Sequence, residues 1–414
     1  MIYQTQLNNG LTIIVDYDDN AKTVTCEYVV AAGSIDEHGT YNGENNFGVA
    51  HFTEHMLFKG TLNRSVEDIN NDIAAIGGVT NAATSFDRTI YYISSPADVW
   101  KDNLEILNDI FWNSTIPEDE FNQEKQVILE ELTMYMDQPR SCCMENLDIL
   151  ANPNNENRQR VAGTLESVQN LTSDDIKRFM KCFYQPGNVA LIVSGNVPID
   201  ELVADVDFFM LHMTEQIIPS KEMEYKNELL NNNIIKMKNA SIKQAHLAFM
   251  IKGALPSEKD FYTLDLLSDI LGGGFTSRLY NIIREKLGLA YTVKVSLNII
   301  RDASYMVGYC GLQKSNIDKV HSIIVKELNK LRKELIPDTE LNTMKALYKG
   351  KLLLSTESTS SKIDLHEDNF IYGTNDTTDT IIDCIMNITP KDMQICANKY
   401  FTKNNICWSV VEPA

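Results

Sequence analysis

LNNGLTIIVDYDDNAKTVTCEYVVAAGS (residues 7–34) reads as two β-strands, LTIIV (11–15) and TVTCEYVVAAG (23–33), joined by a polar turn. The same strand, turn, strand layout returns in NNNIIKMKNASIKQAHLAFMIKGA (231–254), so the chain reads as two related halves. The echo continues downstream. SVEDINNDIAAIGGVTNAATS (65–85) and SRLYNIIREKLGLAYTVKVS (277–296) each give a helix, a glycine stop and a strand. Further strand-like runs, TIYYIS (89–94) and NVALIVSG (188–195), alternate with helical patterns, so α and β are mixed throughout. The polar stretch from Pro219 to Asn233 lacks both periodicities and is the linker candidate. It places one domain at 1–215 and a homologous second at 230–414. A chain of 414 residues suits two such domains.

Composition narrows the function classes. Charged residues at 23% and hydrophobic residues at 43% are those of a folded globular chain. Against 37 Lys+Arg stand 57 Asp+Glu, a net charge of −20, which leaves no basic footprint for nucleic acid and favours cationic or basic peptide partners. The eight cysteines are scattered without a C-x-x-C pair, as expected for reduced thiols in a cytoplasm. The opening MIYQTQLNNGLTIIVDYDD shows no signal-peptide pattern, and no apolar run approaches the ~18–20 residues that span a bilayer. A cytoplasmic protein with no membrane partner is therefore expected. The run Gly272 to Gly274 lacks the rest of a phosphate-loop pattern and reads as a helix stop or loop. His38, His212, His246, His321 and His366 are isolated and read as structural or surface residues.

NFGVAHFTEHMLFKGT (46–61) carries the chemistry. His51 and His55 stand four apart in an amphipathic run and on a helix share one face. Two neutral imidazoles one turn apart can ligate one divalent ion, and nitrogen ligands favour zinc. Glu54 precedes the second His, giving H-x-x-E-H, the inverse of the H-E-x-x-H zinc-peptidase order. From there it can serve as base toward a water at the metal while staying outside the coordination shell. A His pair alone is equally an ordinary hydrogen-bonded pair; the five-residue pattern is what favours the metal. A catalytic zinc needs a third protein ligand. After Pro117, EDEFNQEKQVILEELTMYM reads as a helix with acids in its first turn and an apolar stripe of Phe121, Ile128, Leu132 and Tyr135. Glu124 and Glu131 lie seven apart on nearly one face, with Glu130 turned away by about one hundred degrees. Spacing does not choose among them, and a solvated acidic face is the plain alternative.

These residues resemble the pitrilysin-type, or inverzincin, zinc metallopeptidases, and within them the short two-domain members similar to mitochondrial processing peptidase. The resemblance covers nearly the whole chain. It implies an α+β fold of two structurally related domains, each a mostly antiparallel sheet with helices packed on one face. The family signature is H-x-x-E-H followed well downstream by a Glu on a helix, and Glu131 lies 76 residues past His55. By resemblance His51, His55 and Glu131 hold one zinc ion per chain, Glu54 is the catalytic base, and Glu124 is the acid one heptad earlier that supports the site. GGVTNAATSFDRTIYY (77–92) is similar to the family's edge strand, where Asn81 and Ala82 match the positions that pair with an extended peptide. Arg284 and Tyr291, in GGGFTSRLYNIIREKLGLAY, match an Arg and a Tyr that act as donors to the substrate near the cleaved bond. The stretch from Asn152 to Arg160 departs from the family pattern, where a chamber wall is expected.

The resemblance implies a zinc endopeptidase acting on peptides or unfolded protein segments inside an enclosed chamber, as a homodimer or paired with a related chain, with Arg284 and Tyr291 serving the partner's site. The competing readings are a non-catalytic core or assembly subunit of the same fold and a peptide-binding module without turnover.

Overall fold

The computed structural model describes residues 1–37, 46–151, 160–212, 233–300 and 303–414. The linker candidate, His38 and most of the stretch from Asn152 to Arg160 lie outside the described residues.

Two compact units emerge. The first consists of Met1–Met134, Glu156–Met223 and Ser355–Gly373, the second of Tyr135–Asn155, Glu224–Leu354 and Thr374–Ala414. Each half of the chain thus lends one segment to the other half's unit, an exchange that two contiguous domains do not include.

The first sheet holds β1 (Ile2–Gln6), β2 (Thr12–Tyr17), β3 (Thr23–Val30), β4 (Val79–Thr84), β5 (Thr89–Pro96) and β6 (Val189–Gly195), in the order β1-β2-β6-β3-β5-β4. The second holds β7 (Ile234–Asn239), β8 (Ala245–Lys252), β9 (Ala290–Ile300), β10 (Ala303–Leu312) and β11 (Ile406–Pro413), in the order β7-β11-β8-β10-β9. Without β1 the two orders are the same. The strand corresponding to the last of each half is also the one that pairs in parallel, β6 with β2 and β11 with β7, while the other pairings are antiparallel. The two halves are therefore structural repeats, and the α+β class with mostly antiparallel sheets is observed. Even the glycine stops correspond: Gly77 before β4 and Gly288 before β9 have φ of +63° and +59°, the left-handed region where glycine carries no Cβ penalty.

The main core of the first unit lies between one face of its sheet and a layer of helices. Ile13, Val15, Cys26, Tyr28, Tyr91 and Val193 meet Phe52, Leu107, Phe111 and Phe179 there. Tyr28 is buried with its ring stacked on Phe111, and its hydroxyl donates to Asn108 Oδ1 at 2.6 Å, so the one polar atom it takes inside has a partner.

Each sheet also carries one exchanged helix. In the first unit, helix Thr359–Tyr372 brings Ile363, Phe370 and Ile371 against Ile14, Val29, Ala190 and Ile192 on the second face. Its polar side chains are tied to the sheet as well: Lys362 to Asp18 at 2.8 Å, His366 to Asp16 at 3.2 Å, and Asp368 to Arg88 at 2.8 Å. Beside these ties Glu367 meets the buried Glu27 of β3. Burial pushes both pKa values up; Glu367 adds to the rise at Glu27, whereas at Glu367, which reaches about 7, Arg88 and the contact with Glu27 pull partly downward and Asp364 adds to the rise. In the second unit, helix Pro139–Ala151 lies on β8 and β11, with Asn146 Nδ2 donating to Ser409 Oγ at 3.3 Å.

All eight cysteines are free. No helix among the described residues is long and apolar enough to cross a membrane. Helix Phe261–Gly272 ends at the glycine run, as expected of a stop. His246, His321 and His366 have structural partners, respectively the Tyr309 hydroxyl, the Trp408 ring and Asp16.

Candidate metal centre

Helix Val49–Leu57 turns Val49, Ala50, Phe52, Thr53, Met56 and Leu57 inward and leaves His51, Glu54 and His55 on its remaining face. Its start is built to tight tolerance. Gly48 has φ of +92°, and a Cβ there would lie 2.7 Å from the Ala162 carbonyl oxygen. The buried Glu37 carboxylate accepts from the Gly48 and Ala50 N–H groups at 2.9 and 3.0 Å, satisfying two donors that the helix leaves without partners. Phe52 stacks on Phe121 of helix Glu118–Met136, ring centroids 4.6 Å apart, and this contact locks the two site-bearing helices together.

Between them three donor atoms converge. His51 Nε2 and His55 Nε2 are 3.3 Å apart, and Glu131 Oε2 is 3.8 and 3.7 Å from them. Adjacent ligands of a tetrahedral zinc with bonds of 2.0–2.1 Å are separated by about 3.3–3.4 Å, so the two nitrogens stand at ligating distance and the carboxylate within a few tenths of an ångström. The donor set, two imidazoles and one carboxylate, suits zinc. Burial, with His55 adding to it, drives the His51 pKa down to about 3, leaving that imidazole neutral, the form that ligates. Among the described residues this is the one group of three or more such side chains whose ligand atoms converge. Of the acids that spacing left open, Glu131 joins the cluster, whereas Glu130 is exposed to solvent.

Glu124 occupies the buried stripe of its helix and reaches the cluster from behind. Its Oε1 lies 2.8 Å from His55 Nδ1 and its Oε2 2.5 Å from Lys59 Nζ. Burial alone would raise the Glu124 pKa, but His55 and Lys59 outweigh it and hold the carboxyl below its usual range. Burial likewise opposes a charge on His55, yet Glu124, Glu54 and Glu131 prevail and raise its pKa. A carboxylate on Nδ1 fixes the tautomer that presents Nε2 to a metal, the usual arrangement behind a ligating histidine. Glu124 is therefore placed behind His55, where it can orient that imidazole.

Glu54 accepts the Thr84 hydroxyl at 2.6 Å and the Thr84 N–H as well, and its pKa is raised, mainly by burial. Thr84 ends β4, the edge strand, whose register pairs Asn81 with Tyr92 and Ala82 with Tyr91. Because Ser85 N–H points inward to Arg88 at 2.8 Å and Thr84 N–H points away to Glu54, alternation turns the backbone groups of Ala82 and Thr80 to the open edge. Asn81 is exposed. Sequence reasoning missed Lys59 and Thr84. The one signal for Thr84 was its strand parity with Ala82; Lys59, just beyond the helix end, had none.

Arg284 and Tyr291 belong to the second unit and come together there, the guanidinium 4.8 Å from the Tyr291 ring centroid. Tyr291 is 75% exposed at the start of the edge strand β9.

Residues 12–165 match the family model described as insulinase (peptidase family M16), and residues 170–348 match the one described as peptidase M16 inactive domain. A relative from Bacillus subtilis (strain 168), called an uncharacterized zinc protease, is 30% identical over 407 residues, spanning 98% of this chain and 97% of its own. The chain belongs to peptidase family M16. A protease from Helicobacter pylori superposes on this M16 chain with a TM-score of 0.92 at 25% identity, covering 100% of one chain and 99% of the other. A Pseudomonas fluorescens structure titled peptidase M16 inactive domain superposes with a TM-score of 0.90 at 18% identity over 100% and 98% of the two chains, a likeness of fold alone. The division of labour in the M16 pair agrees with the site, since all three converging donors fall within residues 12–165.

Proposed function

We propose that this M16 chain is a zinc-dependent endopeptidase of peptides and unfolded protein segments. The observation that carries the reading is the convergence of His51, His55 and Glu131 beside a half-buried Glu54 that is tied to the end of an open-edged strand. His51, His55 and Glu131 would hold one zinc ion. Zinc, when bound, supplies Lewis-acid polarisation of the scissile carbonyl and acidifies water. The remaining work falls to the chain itself. Glu54, its pKa raised toward the working pH by burial, takes the proton from the attacking water and passes it to the leaving amine. Thr84 holds that carboxylate in place with its hydroxyl and N–H. An extended peptide adds to β4 through the open backbone groups of Ala82, so affinity comes from main-chain hydrogen bonds with little demand on sequence, and the strand delivers the peptide to Glu54. Asn81 flanks that pairing. Arg284 and Tyr291 donate to the peptide carbonyl near the cut.

We further infer a homodimeric, cytoplasmic enzyme with an enclosed chamber, in which Arg284 and Tyr291 serve the site of the other copy. The net charge of −20 supports a substrate that is basic overall.

The test is cleavage of an internally quenched peptide by the wild type and by Glu54→Gln, with metal content measured in both. Loss of about 10²–10⁴-fold in rate with zinc retained is expected for removal of a general base. Equal rates would remove Glu54 from the chemistry. Zinc bound without cleavage by either protein would favour the non-catalytic subunit or the peptide-holding module.

A further inference from the structure

The second unit contains a cavity of about 590 Å³. In a chain with a net charge of −20, this cavity is bordered by three cations, Arg140, Arg284 and Lys294, and by no acid. Neither Arg140 nor Lys294 forms an ion pair among the described residues. Arg284 has a carboxylate neighbour only at 3.9 Å, the Glu285 Oε1, beyond hydrogen-bond length.

Two of the three cations are already oriented. The Arg140 guanidinium lies 5.0 Å from the Tyr309 ring centroid, and the Tyr309 hydroxyl is fixed in turn at 2.7 Å from His246 Nδ1. Arg284 sits 4.9 Å from the Tyr280 ring and 4.8 Å from that of Tyr291. Stacking on a ring face holds a guanidinium plane without consuming its N–H donors. With Arg284 assigned to the peptide carbonyl, the Arg140 fork is the one left open for the planar, two-pronged partner it fits best, a carboxylate. The apolar part of the lining, with Val293, Val295 and Met144 among it, lowers the local polarity and so strengthens such a pairing.

We propose that this cavity selects a carboxylate carried by the bound peptide, with Arg140 as its specificity-determining side chain and Lys294 supporting it. The identity of the occupant as a peptide rests on the peptidase reading. The carboxylate has two possible sources, an Asp or Glu side chain and the peptide's own C-terminus. Neither conflicts with a substrate that is basic overall, because the long-range field of the chain draws net charge while the cavity reads one local group.

The experiment is equilibrium binding, by fluorescence anisotropy, of short labelled peptides to the full-length Glu54→Gln protein, which requires no turnover. One pair of peptides differs by an internal Glu against Gln, a second by a free against an amidated C-terminus. The Glu peptide is expected to bind about tenfold tighter than its Gln counterpart, the scale of a charge-assisted over a neutral hydrogen bond. Adding Arg140→Leu should shrink that advantage to about twofold or less. Adding Arg140→Glu should reverse the preference toward a peptide with Lys at the same position, a gain that misfolding cannot imitate. An advantage confined to the free C-terminus, and lost in Arg140→Leu, supports the proposal with the terminal carboxylate as the source. No carboxylate advantage, an advantage unmoved by both Arg140 variants, or no binding at all overturns it. Wild-type cleavage with no carboxylate advantage sinks the cavity and spares the peptidase; a carboxylate advantage with no wild-type cleavage does the reverse.

Discussion

Glu124→Gln isolates what the carboxylate behind His55 contributes to the metal site. The native side chain makes two charge-assisted contacts at once, 2.8 Å to His55 Nδ1 and 2.5 Å to Lys59 Nζ, and is only 10% exposed. Glutamine has the same shape but one acceptor oxygen. If that oxygen keeps His55 Nδ1, the amide NH₂ faces the Lys59 ammonium, donor against donor; if it keeps Lys59, the imidazole loses its acceptor and its tautomer is no longer fixed. Exchanging a hydrogen bond to a charged group, about 1.5–3 kcal/mol, for a neutral one near 1 kcal/mol leaves a deficit of about 1–2 kcal/mol, to which the strained Lys59 contact adds. Zinc affinity should therefore fall by about 10–100-fold, the range found when the outer partner of a ligating histidine is removed. Competition against a chromophoric chelator reads the dissociation constant directly, and a thermal melt in excess chelator separates metal affinity from folding. Glu130→Gln, one residue from Glu131 but exposed, is the control and should change nothing. A zinc affinity within twofold of wild type in Glu124→Gln, the fold being intact, would refute the claim that Glu124 orients His55.

Four further outcomes follow from the same geometry. The raised pKa values of Glu27 and Glu367 mean that the folded chain keeps protons which the unfolded chain has already released, so thermal stability should fall as pH rises from the ordinary glutamate range near 4.5 through about 7; Glu27→Gln should flatten that decline, and an unchanged pH–melting profile would show the pair is not linked to folding. Phe52→Ala removes a fully buried ring stacked on Phe121 and should cost about 3–5 kcal/mol by denaturant unfolding, loosening the two site-bearing helices with it. Mixing Glu54→Gln chains with Arg284→Ala chains should restore part of the peptidase rate if Arg284 serves the partner's site; no recovery in verified mixed dimers would place it in its own. Cleavage of a basic peptide should slow as salt rises from 0.05 to 0.5 M, since screening weakens the attraction of the −20 chain, and a flat profile would remove charge steering.

Much of this architecture was legible in the residues, and the reasons for the gaps are physical. The strand pairs at 7–34 and 231–254 announced the repeat mainly because the apolar residues of β2, β3 and β8 face a core, and burial writes period into sequence; those of β7 are largely exposed. H-x-x-E-H announced the site because metal ligation demands particular atoms one helical turn apart. Glu124 and Glu131 could not be ranked by spacing, since both lie near one face; what separates them is that position 124 packs inward toward His55 and Lys59 while 131 stays at the rim. Helix Thr359–Tyr372 was missed as a partner of the first sheet for a different reason. It offers few apolar contacts, Ile363, Phe370 and Ile371, and docks as much through Lys362, His366 and Asp368, which on paper look like a solvated face. The cationic cavity was invisible for a related reason, because Arg140 and Lys294 are far apart in the chain and only the fold brings them to one wall.

The exchanged helix also imposes an order on the birth of the molecule. β6, the last strand of the first sheet, ends at Gly195, but the helix that covers Ile14, Val29 and Ala190 begins at Thr359. At 5–20 residues per second, the ribosome needs roughly 8–30 s to make the intervening chain. During that interval the apolar face of the first sheet lacks its cover and Glu27 lacks its Glu367 neighbour, so a nascent chain stalled before Thr359 is expected to be a client for chaperones, whereas the finished chain covers the patch with its own late segment.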